Sequence, residues 1–315
     1  MKIPIRQISN ILRIFVGLVF IASAILKYKS IDVFDLYVYE HNLFSISVTE
    51  TLTRLLVSAE AVLGVMLIIN LYARPVYYAV WFFLAGFTLY LVLLPVLFDV
   101  NITNCHCFGD TIVLTRTQSI IKNGMLMLCF LLVSPRYYTR RKWEFQLTTV
   151  LCVAIFVTVI VANAPQYLYT KIHREKIHID DSMFDAALIN SGKQKEFTDG
   201  KQIICMYSVF CKFCRKSALK LSLMLKNNNL YDDNVKAIFW SDTSENSIYE
   251  FFAEQNLSTP EYITFTVDTF LSITNGRIPV FLFVEDGIIV DQANYITLNE
   301  RKVVDFFIIN NGVSR

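Results

Sequence analysis

The cysteines of this chain stand at positions 105, 107, 129, 152, 205, 211 and 214, and two close pairs among them have spacings suited to redox chemistry. In Cys211-Lys212-Phe213-Cys214 a run of strand character gives way to a run of helix character, so the first sulfur is expected at a helix N-terminus. Unpaired backbone N–H groups and the helix dipole favour a thiolate there. A thiolate attacks a disulfide, and a second cysteine one turn further on resolves the mixed disulfide. Lys212 and Arg215 add positive charge, which should lower the first pKa further. The same spacing is also half of a zinc site, but a second ligand pair is then needed, and only His173 and His178 are candidates in the polar half of the chain. The order strand, cysteine pair, helix favours redox chemistry.

The second pair lies in Asn104-Cys105-His106-Cys107-Phe108-Gly109-Asp110. Two cysteines one residue apart can close a disulfide, and the tight geometry makes that bond easy to reduce, which suits an electron acceptor. Cys105, His106 and Cys107 also offer thiolate, imidazole and thiolate to a soft or borderline ion such as Cu(I) or Zn(II), and a purely structural disulfide is the third reading. Cys205, Cys129 and Cys152 are expected as packing residues.

The elements that must position these residues fall into two parts. With 54% hydrophobic residues, 25 Phe, 16 Tyr and a mean hydropathy of +0.45 over 315 residues, the chain is too apolar to be wholly soluble. Five apolar stretches approach the ~20 residues that cross a hydrocarbon core, at 8–26, 52–71, 76–98, 119–133 and 145–163, of which the fourth is short. Lys2 and Arg6, Arg74, and the group Arg136, Arg140, Arg141 and Lys142 all fall on one side of such a bundle, which is therefore cytoplasmic. The N-terminus is then inside, while loops 27–51 and 99–118 and everything after the fifth span are outside. The first stretch is too long for a signal-peptide core and lacks a small-residue cleavage pattern, so it is an uncleaved anchor. The net charge of +2 is unevenly divided: residues 165–315 hold 16 Lys/Arg against 19 Asp/Glu, and residues 1–164 hold 13 against 8. No basic tract forms a phosphate-binding stripe, so nucleic acid is not an expected partner.

After residue 163 the sequence has room for one compact domain. Residues 202–209 read as a buried strand and 215–227 as an amphipathic helix with Leu219, Leu223 and Met224 on one face. A second strand follows at 235–240, a helix at 247–255, a hairpin of 280–284 with 288–292 across Asp286-Gly287, and a last helix at 299–309.

This order, with Arg277-Ile278-Pro279 opening the hairpin VFLFVEDGIIV, resembles the thioredoxin superfamily across residues 180–312. The resemblance implies a cis peptide bond before Pro279, packed beside the cysteine pair and presenting backbone to the substrate chain. Two positions depart from the family pattern. The buried Asp of thioredoxins is replaced by Cys205, so protons must reach the resolving thiolate by another group or by water. Lys-Phe between the cysteines replaces Gly-Pro, so the family's potential does not carry over.

Residues 5–135 resemble the MauE/DoxX family of four-helix membrane proteins, which includes the methylamine-utilisation protein MauE. The resemblance rests on Arg13 with Gly17, Ser23-Ala24-Ile25-Leu26-Lys27, Glu60 with Gly64, and CHCFGD followed by Ser119-Ile120-Ile121-Lys122-Asn123. It implies work with a thioredoxin-like partner in maturing a disulfide-rich periplasmic enzyme, and a link to quinol oxidation. The layout of four helices, an extra span and a thioredoxin domain parallels bacterial homologues of vitamin K epoxide reductase, which pass electrons to quinone. Independently of family, Arg13 and Glu60 are ionisable residues inside spans: either they pair or line a cofactor site, or Arg13 snorkels to the cytoplasmic surface and Glu60 faces a polar seam. Trp81, Phe82 and Phe83 are candidates to line a quinone site, but an aromatic-rich membrane surface is the favoured reading of them.

The expected fold is thus an α-helical membrane bundle of five transmembrane helices plus an α/β thioredoxin-like fold. Its parts are a membrane domain at 1–135, a cytoplasmic loop and fifth helix at 136–165, and an extracytoplasmic domain at 166–315. The expected function is a thiol:disulfide oxidoreductase of the bacterial inner membrane, exchanging disulfides with extracytoplasmic proteins. Catalytic roles fall to Cys211, Cys214, Pro279, Cys105 and Cys107, with quinone as candidate acceptor. The alternatives are a Cu or Zn handling protein with ligands Cys105, His106 and Cys107, or an assembly factor for a secreted disulfide-rich enzyme.

Overall fold

Residues 5–71, 73–98, 104–110, 112–133, 143–172, 179 and 181–308 are described by a computed structural model of the chain. The apolar stretches form α1 (Ile5–Lys29), α3 (Ile46–Ile69), α4 (Ala73–Phe98), α5 (Arg116–Leu131) and α6 (Glu144–Ala162). A short helix α2 (Ile31–Tyr39) follows α1, and a hairpin of β1 (Asn104–Asp110) and β2 (Ile112–Thr115) joins α4 to α5. The contacts of the chain separate it into two compact units, Met1–Pro165 and Gln166–Arg315.

In the first unit α1 and α3 approach most closely at two glycines. A Cβ on Gly17 would meet the Gly64 carbonyl oxygen at 2.9 Å, and one on Gly64 would meet the Gly17 carbonyl oxygen at 2.9 Å. Small residues let membrane helices draw backbone against backbone, where dispersion replaces the missing hydrophobic drive. Around this crossing Val16, Phe20, Met66, Leu67, Val80, Leu84, Leu126 and Phe130 form a buried core. The helix α6 is apolar on all sides, and Phe145, Val150, Val153, Val157 and Val161 remain exposed on it. Such a surface is stable only against lipid.

Among the described residues, four helices are long and apolar enough to cross a membrane: Arg6–Lys29, Ile46–Ile69, Arg74–Leu93 and Glu144–Ala162. The remaining expected span, 119–133, lies in the 16-residue α5, about 24 Å long, whose first half carries Arg116, Gln118, Lys122 and Asn123. It nevertheless runs back along α4: Asn123 donates to the Thr88 hydroxyl at 3.2 Å, and Phe130 stacks on Tyr77, near the start of α4, with centroids 5.0 Å apart. A capping box of Thr115 and Gln118 starts α5 directly at the end of the hairpin.

The second unit contains α7 (Gln166–Ile172), α8 (Asp181–Ser191), α9 (Gln194–Thr198), β3 (Lys201–Met206), α10 (Lys212–Asn227), β4 (Val235–Trp240), α11 (Glu245–Ala253), β5 (Glu261–Phe265), α12 (Val267–Thr274), β6 (Val280–Glu285), β7 (Ile288–Asn294) and α13 (Glu300–Ile308). The sheet order is β5-β4-β3-β6-β7, with β3 parallel to β4, β4 parallel to β5, and β6 antiparallel to both β3 and β7. Together with the helices on it, this mixed sheet is a thioredoxin-like fold. The central β3 is buried on both faces from Gln202 onward, as a strand with covered faces must be. Asp286 and Gly287, with φ of 49° and 85°, form the two-residue turn between β6 and β7.

The strands and helices expected in this unit are present within a few residues of their expected ends. On α10 Leu223 and Met224 are buried as expected, together with Cys214, Ser217, Ala218, Leu221 and Leu225, while Leu219 is only half-buried. The sequence pattern predicts neither α7, α8 and α9 nor β5 and α12; β5 is five residues long and begins directly after Pro260.

Candidate functional site

The chain leaves the centre of the sheet at Met206, crosses a short loop and enters α10 at Cys211, which is its N-cap residue. In that position the Cys211 sulfur accepts a hydrogen bond from the backbone N–H of Cys214 at 3.3 Å. Cys211 is partly exposed, whereas Cys214 is fully buried. The Cys211 thiol is pulled down to about 6, chiefly by a hydrogen bond from the Cys214 side chain and further by the backbone N–H groups of Cys214 and Phe213, against an opposing effect of burial. Burial pushes the Cys214 thiol up strongly, and the neighbouring Cys211 adds to this; a 3.5 Å hydrogen bond from the Ser208 N–H acts the other way. The pair therefore combines an accessible nucleophile, ionised at neutral pH, with a protonated, protected partner.

The neighbouring positive charge expected to lower the Cys211 pKa does not contribute to it. Arg215 turns away from Cys211: it pairs with Glu254 at 3.1 Å and donates to the Val209 carbonyl at 3.1 Å. The lowered pKa of Cys211 comes chiefly from the Cys214 side chain and then from the backbone N–H groups at the start of α10, and neither Lys212 nor Arg215 is among its causes. Phe210 and Phe213, 81% and 52% exposed, flank the nucleophile and present bare apolar surface.

The peptide bond between Ile278 and Pro279 is cis, and Pro279 is buried at the start of β6. The pairing of Met206 with Val280 brings that end of β6 beside the end of β3 that leads to Cys211. Cys205 is fully buried, and burial pushes its thiol up to about 12 despite a hydrogen bond with Tyr207. His173 and His178 lie outside the described residues.

In the first unit the backbone of Cys105, His106 and Cys107 is part of β1, with Cys105 opposite Leu114 and an irregular register between Cys105 and Phe108. Their side chains lie outside the described residues. Gly109, with φ of 65°, seats the hairpin on the end of α1: a Cβ there would meet the Leu26 carbonyl oxygen at 2.5 Å. Just beside it lies a buried cluster. Lys27 pairs with Glu60 at 2.5 Å, Ser23 donates to the other Glu60 oxygen at 3.2 Å, and Lys122 sits 4.5 Å from the centre of the Phe108 ring. Ser23, Lys27, Glu60, Lys122 and Asn123 line a small cavity of about 20 Å³ together with Phe83 and Phe87. Those two rings also line an apolar cavity of about 350 Å³ with Phe34, Tyr37, Phe82 and Tyr90.

The expected pairing of Arg13 with Glu60 is corrected here. Arg13 donates to the carbonyl oxygens of Leu67 and Ile68 at the end of α3, and Glu60 is satisfied by Lys27. The reason is vertical position: Lys27 lies at the far end of α1 from Arg13, level with Glu60 on the antiparallel α3. A second buried pair, Asp35 with Arg54 at 2.5 Å, was missed altogether. Trp81 packs against Phe130 in the bundle core, Phe82 is 81% exposed, and Cys129 and Cys152 are free thiols, each half-buried.

The comparisons with known proteins follow this division. Residues 5–135 match the family model described as methylamine utilisation protein MauE. The chain is 23% identical to Protein TlpB of Flavobacterium psychrophilum over an alignment of 357 residues, which covers 97% of this chain and 96% of the relative. No solved structure matches the chain significantly. The protein is therefore a membrane protein whose residues 5–135 match the MauE family model and whose second unit has a thioredoxin-like fold.

Proposed function

We propose that the chain is a membrane-anchored thiol:disulfide oxidoreductase, with Cys211 as nucleophile and Cys214 as resolving thiol. The observation that carries this reading is the asymmetry of the pair: a sulfur held as thiolate at a helix N-terminus, and a second sulfur buried one turn behind it. In the exchange, Cys211 forms a sulfur–sulfur bond to a client as the client's own disulfide opens, or the reverse. Pro279 offers backbone to the client beside the pair, and Phe210 and Phe213 supply apolar contact. Stabilising the thiolate stabilises the reduced form, which makes the disulfide form the stronger oxidant. The favoured direction is therefore oxidation of client thiols, with electrons entering at Cys211–Cys214.

Those electrons then pass to Cys105–Cys107, and the shared chain keeps the two pairs at high effective concentration. The topology that serves this relay has the N-terminus in the bacterial cytoplasm and both cysteine pairs outside the inner membrane, following the basic loops. The return of α5 along α4 supports it, since it keeps the number of crossings odd. As terminal acceptor a lipid-soluble quinone fits the membrane unit: the aromatic cavity has room for a ring, and the Lys27, Lys122, Ser23 and Asn123 donors lie behind Phe83 and Phe87. When bound, it would supply an acceptor for two electrons and two protons. Phe34, Phe82, Phe83 and Phe87 would hold its ring.

The relay is tested by replacing Cys105 and Cys107 with Ser and trapping the redox state of Cys211–Cys214 in cells. The relay requires the pair to accumulate in its reduced form; an unchanged ratio of oxidised to reduced pair would remove it. A copper or zinc site at Cys105, His106 and Cys107 would instead show as stoichiometric metal in the purified protein, lost in His106→Ala.

A further inference from the structure

Resting on the reading of a relay between the two cysteine pairs, we propose that Arg54, held by Asp35, fixes where the chain leaves the membrane bundle and so sets the effective concentration at which Cys211–Cys214 meets Cys105–Cys107. The relay needs such a fixture, because its two halves belong to units joined by one stretch of chain that starts at the end of α6. By itself α6 is a poor anchor: it is apolar on all sides, packs chiefly against α3 and buries little of its surface. A buried polar contact between helices holds one point of such an end in place.

Arg54 supplies that contact. Its Nε–H donates to the carbonyl oxygen of Asn163 at 3.2 Å. Asn163 is the C-cap of α6, so its carbonyl lies where the helix runs out of internal donors, and the negative end of the helix dipole favours a cation there. A different nitrogen of the same guanidinium, Nη1, donates to Asp35 in α2 at 2.5 Å, and Thr53 donates to the other Asp35 oxygen. Asp35, Thr53 and Arg54 are all buried. The arginine fork thus works in two directions, toward α2 and toward the end of α6.

The helix reached through Asp35 also seats the second cysteine pair. The hairpin of β1 and β2 rests on the corner between α1 and α2, where a Cβ on Gly109 would meet the Leu26 carbonyl oxygen at 2.5 Å and would also strike Ser30, the first residue before α2. From that seat β1 packs against α2. Ser30 and Asp35 are five residues apart, about 7–8 Å of helix rise. The exit of the chain is therefore tied to the same short helix that carries the hairpin of Cys105 and Cys107, and the second unit begins at Gln166, three residues after Asn163.

In the relay one sulfur of each pair forms the mixed disulfide. The Cys211–Cys214 thiols then close to a disulfide as the Cys105–Cys107 disulfide opens to two thiols, with two electrons and two protons passing across. Arg54 takes no part in that chemistry and acts through the tether, so it is a positioning residue. An end of α6 set free lengthens the mobile stretch, and a doubling of that stretch lowers the effective concentration about threefold.

The test uses the full-length chain in lipid nanodiscs, carrying Cys214→Ser with either Cys107→Ser or Cys105→Ser, so that one sulfur of each pair remains. In glutathione buffers these two thiols close to a disulfide as one oxidised glutathione becomes two reduced ones, and the buffer ratio at half closure gives the effective concentration. Arg54→Met with Asp35→Leu removes both charges together and is expected to lower it about threefold or more. Gly64→Ala, which disturbs the bundle ten residues further along α3, is expected to leave it unchanged. An unchanged value in the double variant, or an equal fall in Gly64→Ala, would overturn the inference. In case the double variant does not fold, Arg54→Lys keeps a charge opposite Asp35 but lacks the Nε–H that reaches Asn163, and is read in the same way. A parent chain that closes in neither background would instead overturn the relay itself.

Discussion

The backbone N–H of Cys214 donates to the sulfur of Cys211 at 3.3 Å, so the second cysteine of the motif helps hold the first as a thiolate. The Cys211 thiol titrates near 6, below the ~8.5 of an unperturbed cysteine. Its reactivity therefore rises through pH 6 and is close to complete at neutral pH. The linkage has a definite sign: a depressed folded-state pKa stabilises the reduced fold fully above about pH 8.5, and that contribution is lost as pH falls through 6. Alkylation with iodoacetamide across pH 4–9, followed by mass mapping, should give a midpoint near 6 at Cys211 and no labelling of Cys214.

Arg215 is committed to Glu254 and the Val209 carbonyl, so removing its charge should leave the nucleophile unaltered. Arg215→Ala is expected to keep the alkylation midpoint of Cys211, while replacing the surface pair costs about 1 kcal/mol or less. A midpoint raised toward 8 would show that the guanidinium, and not the Cys214 side chain with the helix N-terminus, sets the acidity.

Lys27 and Glu60 are buried together at 2.5 Å, which makes each the condition for the other. Lys27→Met leaves an uncompensated carboxylate beside Phe83 and Phe87 and should destabilise the detergent-solubilised protein by about 3–5 kcal/mol. The double variant Lys27→Met with Glu60→Gln should recover most of that loss in thermal unfolding. If the double variant is as unstable as the single one, the pair does not act as a unit.

The crossing of α1 and α3 depends on having no side chain at Gly17 and Gly64. Gly64→Ala places a methyl group 2.9 Å from the Gly17 carbonyl oxygen and 2.7 Å from Ile21, so the helices must part. A loss of about 1–3 kcal/mol is expected, against little change for Gly124→Ala, whose Cβ meets nothing within 4 Å.

How far the sequence reached differs between the two units. In the thioredoxin-like domain, the strand before Cys211, the helix after it and the turn at Asp286-Gly287 were legible because each depends on local residue types, whereas the cis bond at Pro279 followed from the family resemblance. The direction of Arg215 was not, since its partner Glu254 lies 39 positions on and belongs to the turn after α11. Periodicity located the membrane helices but could not say which charges stand at the same depth. Arg13 and Glu60 both lay inside spans, yet antiparallel packing of α1 and α3 pairs the end of one with the middle of the other and selects Lys27. The pairing of Asp35 with Arg54 escaped for the same reason.

The central claim is that Cys211 forms covalent exchange intermediates with clients outside the membrane, and trapping tests it most directly. With Cys214→Ser in the full chain, cells treated with acid to quench exchange should contain mixed disulfides between this protein and client proteins, visible as reducible high-mass species. These should vanish when Cys211→Ser is added. Absence of such species, or their persistence without Cys211, would contradict the account.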